Sequence, residues 1–240
     1  VYRALVRAKV AALRLVQSAS NPDARAEARR DFDGYIRLAV NWAIASAPCM
    51  LIMHGVSGSG KSWYASQLAE KLGAIQLRSD IERKRLYGYR ADASTGSDVQ
   101  AGIYSQAASA RTYAQLARLA SSVVAGGLTV IVDAAFLKLD ERQHFQQLAQ
   151  SCGVPFAILH LEADEPTLVA RITSRRQLGN DPSEAGIDVL KSQLATQEPL
   201  AASELADVLH IQGPVASSME SLVRGLRKKC FSSPGQHAEA

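Results

Sequence analysis

The sequence predicts an α/β fold built on a parallel sheet. Two observations carry that expectation. From Cys49 onward, short apolar or β-branched runs alternate with longer segments whose apolar residues recur every three or four positions. The first of those runs is joined to the first helical segment by Gly55-Val56-Ser57-Gly58-Ser59-Gly60-Lys61-Ser62, a glycine-rich turn. A chain of 240 residues, 47% hydrophobic and 21% charged, can bury one sizeable core.

The elements come in order. Residues 1–17 read as a basic amphipathic helix with Leu5, Ala8, Ala12 and Leu15 along one side. Asn21-Pro22-Asp23 breaks it, and a second helix covers 24–45, with Tyr35, Ile36, Leu38, Ala39 and Trp42 as its apolar content. Pro48 separates this hairpin, 1–47, from the first strand, the apolar run 49–54. The helix after the glycine turn covers 63–72, with Tyr64, Leu68 and Leu72 four apart and Gly73 closing it. A second strand lies near 74–77. A long helix is expected over 98–125, stopped by Gly126-Gly127, and a β-branched third strand over 128–132. A helix over 140–151 and a strand over 156–161 come next. Glu165-Pro166 opens another helix. Asp181-Pro182-Ser183-Glu184 reads as a capping-box-like start to the one after it. A last strand, 208–211, a short helix, 217–226, and a polar tail, 229–240, complete the chain; the tail is expected to be disordered.

The octapeptide fits G-x-x-x-x-G-K-[ST], the phosphate-cradling P-loop, and strand, turn and helix stand around it as that pattern requires. Glycines let successive N–H groups converge on phosphate oxygens, so Gly55, Val56, Ser57, Gly58, Ser59 and Gly60 line the cradle. Lys61 places a charge at the β/γ-phosphates, and the Ser62 hydroxyl ligates Mg²⁺. Asp133 ends the apolar strand 128–132, the position of a Walker B metal carboxylate. Asp80 and Arg83 sit three apart at a strand-to-helix junction. There Asp80 can take the proton of an attacking hydroxyl, with Arg83 holding the acceptor. On spacing alone Asp80 serves equally as the N-cap of a helix starting at Ile81, and a P-loop one strand away favours the catalytic role. Arg171 and Arg175 share one helix face, with Arg176 beside them, on a helix–connection–helix unit. Such a unit suits a lid that brings arginines to transition-state charge. Weaker candidates are His54, His144 and His160, Arg142 as a phosphate contact, and Tyr87, Tyr89 and Tyr104 as an acceptor platform around the loop 88–98.

Composition narrows the classes. A net charge of +4 is compatible with nucleotides but is no nucleic-acid signature, so nucleic acid is possible and not indicated. Three scattered cysteines favour a reducing cytoplasm over a disulfide framework. No stretch has the length and apolarity of a membrane span. The start at Val1, inside a helix, suggests a piece of a longer polypeptide or a trimmed product.

With these residues in place, 49–227 resembles the P-loop kinase-like ATPases grouped with polynucleotide kinase, gluconate kinase and zeta-toxin-type proteins. The octapeptide and 190–199 look like gluconate kinases, and Asp80-x-x-Arg83 is similar to the polynucleotide kinase acceptor motif. The stretch 132–137 also looks like that group. A closer resemblance is to the C-terminal ATP-binding half of bacterial bifunctional proteins whose N-terminal half is aminoglycoside-phosphotransferase-like. There, 2–10 looks like the closing helix of the first half. The resemblance implies a five-stranded parallel sheet in the order 2-3-1-4-5, flanked by helices in a three-layer sandwich with a helical lid. It also implies that 1–47 ends a preceding phosphotransferase-like domain and that 48–228 is the kinase domain, with ATP and Mg²⁺ as cofactors. The expected function is transfer of the γ-phosphate to a hydroxyl of a small molecule or nucleic-acid end. The alternative is an ATP-binding regulatory module that controls the attached domain.

Overall fold

The computed structural model describes residues 2–18, 21–43, 48–90, 103, 105–178, 181–183, 185–211 and 215–230. They fall into two compact units, Val1–Ser46 and Ala47–Ala240.

The first unit is a helical hairpin of α1 (Tyr2–Gln17) and α2 (Pro22–Ala43). Asn21 accepts the Ala24 N–H through Oδ1 at 3.1 Å and so caps α2, and Pro22 takes the first helical position, where no donor is needed. The buried residues are alanines, Ala4, Ala8 and Ala11 of α1 and Ala28 and Ala39 of α2. The expected stripe is therefore displaced. Leu5 is exposed, together with Tyr2, Val6, Val10, Leu13 and Val16. Small side chains let two helices approach closely, and the alanine stripe provides that contact at the expense of the larger residues.

The second unit is built on five parallel strands: β1 (Met50–His54), β2 (Ile75–Arg78), β3 (Val130–Asp133), β4 (Phe156–Leu161) and β5 (Val208–Ile211). Their order is β2-β3-β1-β4-β5, as expected. β1 is fully buried, because strands covered by helices on both faces read as continuous apolar runs. Odd-numbered residues of β1 (Leu51, Met53) pack with α3 (Lys61–Leu72) and α9 (Val215–Cys230). Even-numbered ones (Met50, Ile52) pack with α5 (Gln106–Ala125) and α6 (Leu139–Ser151). This is the expected three-layer sandwich. The remaining helices are α4 (Ser79–Leu86), α7 (Glu165–Leu178) and α8 (Ile187–Thr196), with a 3-10 helix at Ala202–Asp207. A third, smaller core joins α7 and α8 to the P-loop through Val56, Leu137, Leu168, Ile172 and Leu190.

Several boundaries differ from those expected of the sequence, and α9 runs on to Cys230, so residues 229 and 230 are helical and not part of a disordered tail. α5 begins at Gln106 because the Ser105 hydroxyl caps it by accepting the Ala108 N–H at 3.3 Å; residues 98–102 and 104 lie outside the described residues. α3 starts at Lys61, directly on Gly60. α8 starts at Ile187 after Gly186, not at Pro182; the Asp181 carboxylate accepts the Ser183 N–H at 2.8 Å and also pairs with Arg78, and no helix begins there. The tail 231–240 lies outside the described residues. Among the described residues, no helix is long and apolar enough to cross a membrane.

Arg142 is the largest fully buried side chain among the described residues. Its guanidinium donates to Glu204 twice, from Nε at 2.7 Å and from NH2 at 2.9 Å, and it also donates to the carbonyls of Phe136, Glu198 and Pro199. A buried ion pair this well bonded tolerates loss of neither partner. Glu204→Ala is expected to lower stability by about 3–5 kcal/mol in urea unfolding, because it strands the guanidinium in the core.

Candidate active site

The P-loop crosses the carboxyl edge of the sheet between β1 and α3. Gly55, Gly58 and Gly60 all take positive φ, of 146°, 84° and 96°. A Cβ at Gly55 would lie 2.5 Å from the Leu161 carbonyl oxygen, and one at Gly58 would lie 2.8 Å from that of Leu168. Those glycines are thus required for packing as well as for the turn. Gly60 gives α3 no side-chain cap, so the first N–H groups of a 12-residue helix face the cavity above the sheet.

That cavity, of about 310 Å³, brings most of the predicted residues together. Ser57, Gly58, Gly60, Lys61 and Ser62 line it, with Asp80, Arg83, Asp133, Arg171 and Arg175. Lys61 Nζ donates to the Val56 carbonyl at 2.7 Å and lies 3.4 Å from Ser59 Oγ. Burial pulls its pKa down to about 8, against the charges of Asp133 and Asp80, which hold it up. Asp133 is buried, and burial raises its carboxyl above the ordinary range while the Ser62 hydroxyl, Lys61 and Arg78 oppose that shift. A buried carboxylate bonded to the P-loop hydroxyl, next to a glycine cradle and open helix N–H groups, fits Mg²⁺ and a triphosphate. Ser62 and Asp133 would hold the ion.

Several expectations are refined. Asp80 lies in the first turn of α4, which starts at Ser79 with Arg78 at the N-cap position; it is not the cap. Arg83 lines the cavity, but its NH1 is engaged by the Ile103 carbonyl at 3.0 Å and Ser109 Oγ at 3.1 Å. Arg171 reaches the carbonyls of Gly58 and Ser59, both at 3.3 Å, and Arg175 donates to the Ala185 carbonyl at 2.7 Å. Arg142 does not reach phosphate; it is sealed in the core by Glu204. His54 and His160 pair through their Nδ1 atoms at 2.6 Å across β1 and β4, with His210 next in register. Burial, then the charges of His160, Arg142 and Lys61, press the His54 pKa down to about 3, so it stays neutral. His144 is exposed on α6. Tyr87 lines a separate cavity with Arg111 and Arg118, Tyr89 is exposed, and Tyr104 lies outside the described residues.

Four residues of the cavity or its rim carry no motif that marks them. Gln76 donates to Asp133 Oδ2 at 3.0 Å, and Arg78 Nε lies 3.5 Å from the same oxygen. Gln193 Oε1 accepts the Ser57 N–H at 2.7 Å. The Tyr113 hydroxyl accepts the Phe136 N–H at 3.1 Å, where Phe136 takes a φ of 50°. Of the four, Arg78 is detectable in principle, since parallel register places it beside Asp133.

Residues 50–200 match the AAA domain family AAA_33. The chain belongs to that family. Among curated proteins, this AAA domain protein is similar to an uncharacterized protein of Mycobacterium tuberculosis (strain ATCC 25618 / H37Rv), 28% identical over 186 residues, which are 78% of this chain and 36% of that protein. The same figures hold for a counterpart in Mycobacterium bovis. The chain thus spans about a third of the length of the curated relatives it matches. Three solved structures are similar. A gluconokinase from Sinorhizobium meliloti 1021 is 21% identical with a TM-score of 0.52, covering 76% of this chain and 94% of that one. Chaetomium thermophilum Kti12, in complex with ADP-AlF3, is 12% identical at 0.59, covering 76% and 100%. The Mycobacterium tuberculosis APS kinase CysC, in complex with AMPPNP and APS, is 17% identical at 0.54, covering 76% and 99%. At these identities the likenesses show a shared P-loop kinase-like fold.

A triphosphate beside Lys61 favours the charged amine and raises its pKa again. Binding at pH 8 is therefore expected to take up about half a proton, and affinity falls as pH climbs above 8. Calorimetry of ATP binding in buffers of different ionisation enthalpy measures the uptake.

Proposed function

We propose that this protein is an ATP-dependent kinase transferring the γ-phosphoryl group to a hydroxyl, with a small molecule as the favoured acceptor and a nucleic-acid end as the other. One observation carries the reading: Asp80 shares a single cavity with Lys61, Ser62 and Asp133. A site for nucleotide binding alone has no use for a further carboxylate at that edge, whereas transfer to a hydroxyl does.

In this reading the P-loop amides and Lys61 hold the β/γ-phosphates. The Asp80 carboxylate accepts the acceptor's proton as its oxygen bonds to the γ-phosphorus, and the bond from that phosphorus to the β-γ bridging oxygen breaks to release ADP. Ser62 and Asp133 would hold Mg²⁺, which would supply positive charge against the phosphate oxygens. Arg171 and Arg175, from the α7 side, answer the charge that spreads over the transferring group. Arg83, part of whose guanidinium is engaged by Ile103 and Ser109, orients the acceptor side and braces α4 against α5. The gluconokinase and APS kinase folds support a small acceptor, each named for one.

We propose separately, from the resemblance, that the hairpin ends a preceding phosphotransferase-like domain that would cover an apolar face of α1. The observation favouring it is the exposed face of α1, where Tyr2, Leu5, Val6, Val10, Leu13 and Val16 lie opposite the buried alanines.

Asp80→Asn is expected to cut transfer of labelled phosphate to sugar, aminoglycoside or polynucleotide pools by about a hundredfold or more, with ATP affinity within about twofold. Equal loss of both would remove Asp80 from the role of base. Label released only to water would favour the regulatory ATPase.

A further inference from the structure

Arg78 occupies a position that the phosphoryl-transfer chemistry does not use. It ends β2, directly beside Asp133 in the β2–β3 register, and its side chain is 20% exposed. Its Nε lies 3.5 Å from Asp133 Oδ2, while its NH2 lies 3.2 Å from each carboxylate oxygen of Asp181. Asp181 stands in the connection between α7 and α8, and its Oδ1 also accepts the Ser183 N–H at 2.8 Å. One guanidinium thus bridges the innermost carboxylate of the site and the connection of the helical lid.

We propose that Arg78 is a positioning residue that couples cation occupancy at Asp133 to closure of the α7–α8 lid through Asp181. The inference rests on the reading of Asp133 as a metal ligand. A divalent cation on Asp133 and Ser62 and the guanidinium at 3.5 Å repel each other, so the two compete for one carboxylate. When the cation wins, the guanidinium gives up Asp133 and is left wholly to Asp181, which strengthens the existing 3.2 Å contact that holds the lid connection on the end of β2. Linkage requires the reverse as well: a closed lid, holding Arg78 on Asp181, eases cation entry.

Two substitutions separate this coupling from a merely structural tie. Arg78→Gln removes the competitor for Asp133. Asp181→Asn leaves the competitor in place and gives it nowhere else to bind. The readout is the ratio of AMPPNP affinity in excess magnesium to that in EDTA, measured by calorimetry, which cancels any direct effect of Arg78 on phosphate. Arg78→Gln is expected to raise the ratio about threefold or more and Asp181→Asn to lower it by a similar factor. A shift in the same direction, or none in either variant, overturns the coupling. In the metal-free protein both substitutions are expected to speed tryptic cleavage after Arg176. The double variant should be no faster than the faster single one, and Asp181→Glu should restore protection. Additive effects there overturn the tie itself. Wild-type protein whose AMPPNP affinity ignores magnesium would overturn the coupling along with the reading of Asp133 as a metal ligand. Loss of transfer in Asp80→Asn leaves both arms unchanged, so the two readings fail separately.

Discussion

The site depends on how closely the P-loop backbone is packed between neighbouring main chains. It lies against the end of β4 at Leu161 and against the first turns of α7 at Leu168, and at Gly55 and Gly58 a methyl group would not fit. Rigidity and anion binding have the same origin here. A loop tight enough to converge its N–H groups has no room for side chains, and the contacts that exclude them also fix its shape. Val56, buried with Leu168, Ile172 and Leu190, ties that loop to α7 and α8, so cradle and lid share one small core.

Charge balance within the cavity is the second determinant. Lys61, Arg78, Arg83, Arg171 and Arg175 face Asp80, Asp133 and Asp181, an excess of positive charge, and most of these groups are at least half-buried. Several of the cations bond to carbonyls: Lys61 to Val56, Arg171 to Gly58 and Ser59, Arg175 to Ala185. Such neutral acceptors make weaker bonds than charged phosphate oxygens would, so in the proposed reaction they would be readily exchanged.

Much of this is legible in the sequence. Most of the strands are apolar runs with turn formers nearby, β2 being an alternating one, and the P-loop, Asp80 and Asp133 each stand at or just beyond the tip of a strand. The features that are not legible have physical causes. The string Asp181-Pro182-Ser183-Glu184 looks like a helix start, and its Asp181 carboxylate does accept the Ser183 N–H, but the same carboxylate is also held by a long-range ion pair to Arg78, and α8 begins only at Ile187. The buried stripe of α1 is hard to place because hydrophobicity ranks leucine above alanine, whereas close helix contact favours the smaller residue. Arg142 resembles a phosphate ligand in one dimension; its acceptor, Glu204, is 62 residues away. Gln193 and Tyr113 carry no local signal, because each acts by meeting a backbone N–H that only the fold brings near.

The bonds from Arg142 into Phe136, Glu198, Pro199 and Glu204 have a mechanical consequence. They bolt the chain leaving α8 to the sheet side of the molecule. The helix pair is thus anchored at its exit, and at its far tip the contact of Asp181 with Arg78 is the tie to β2.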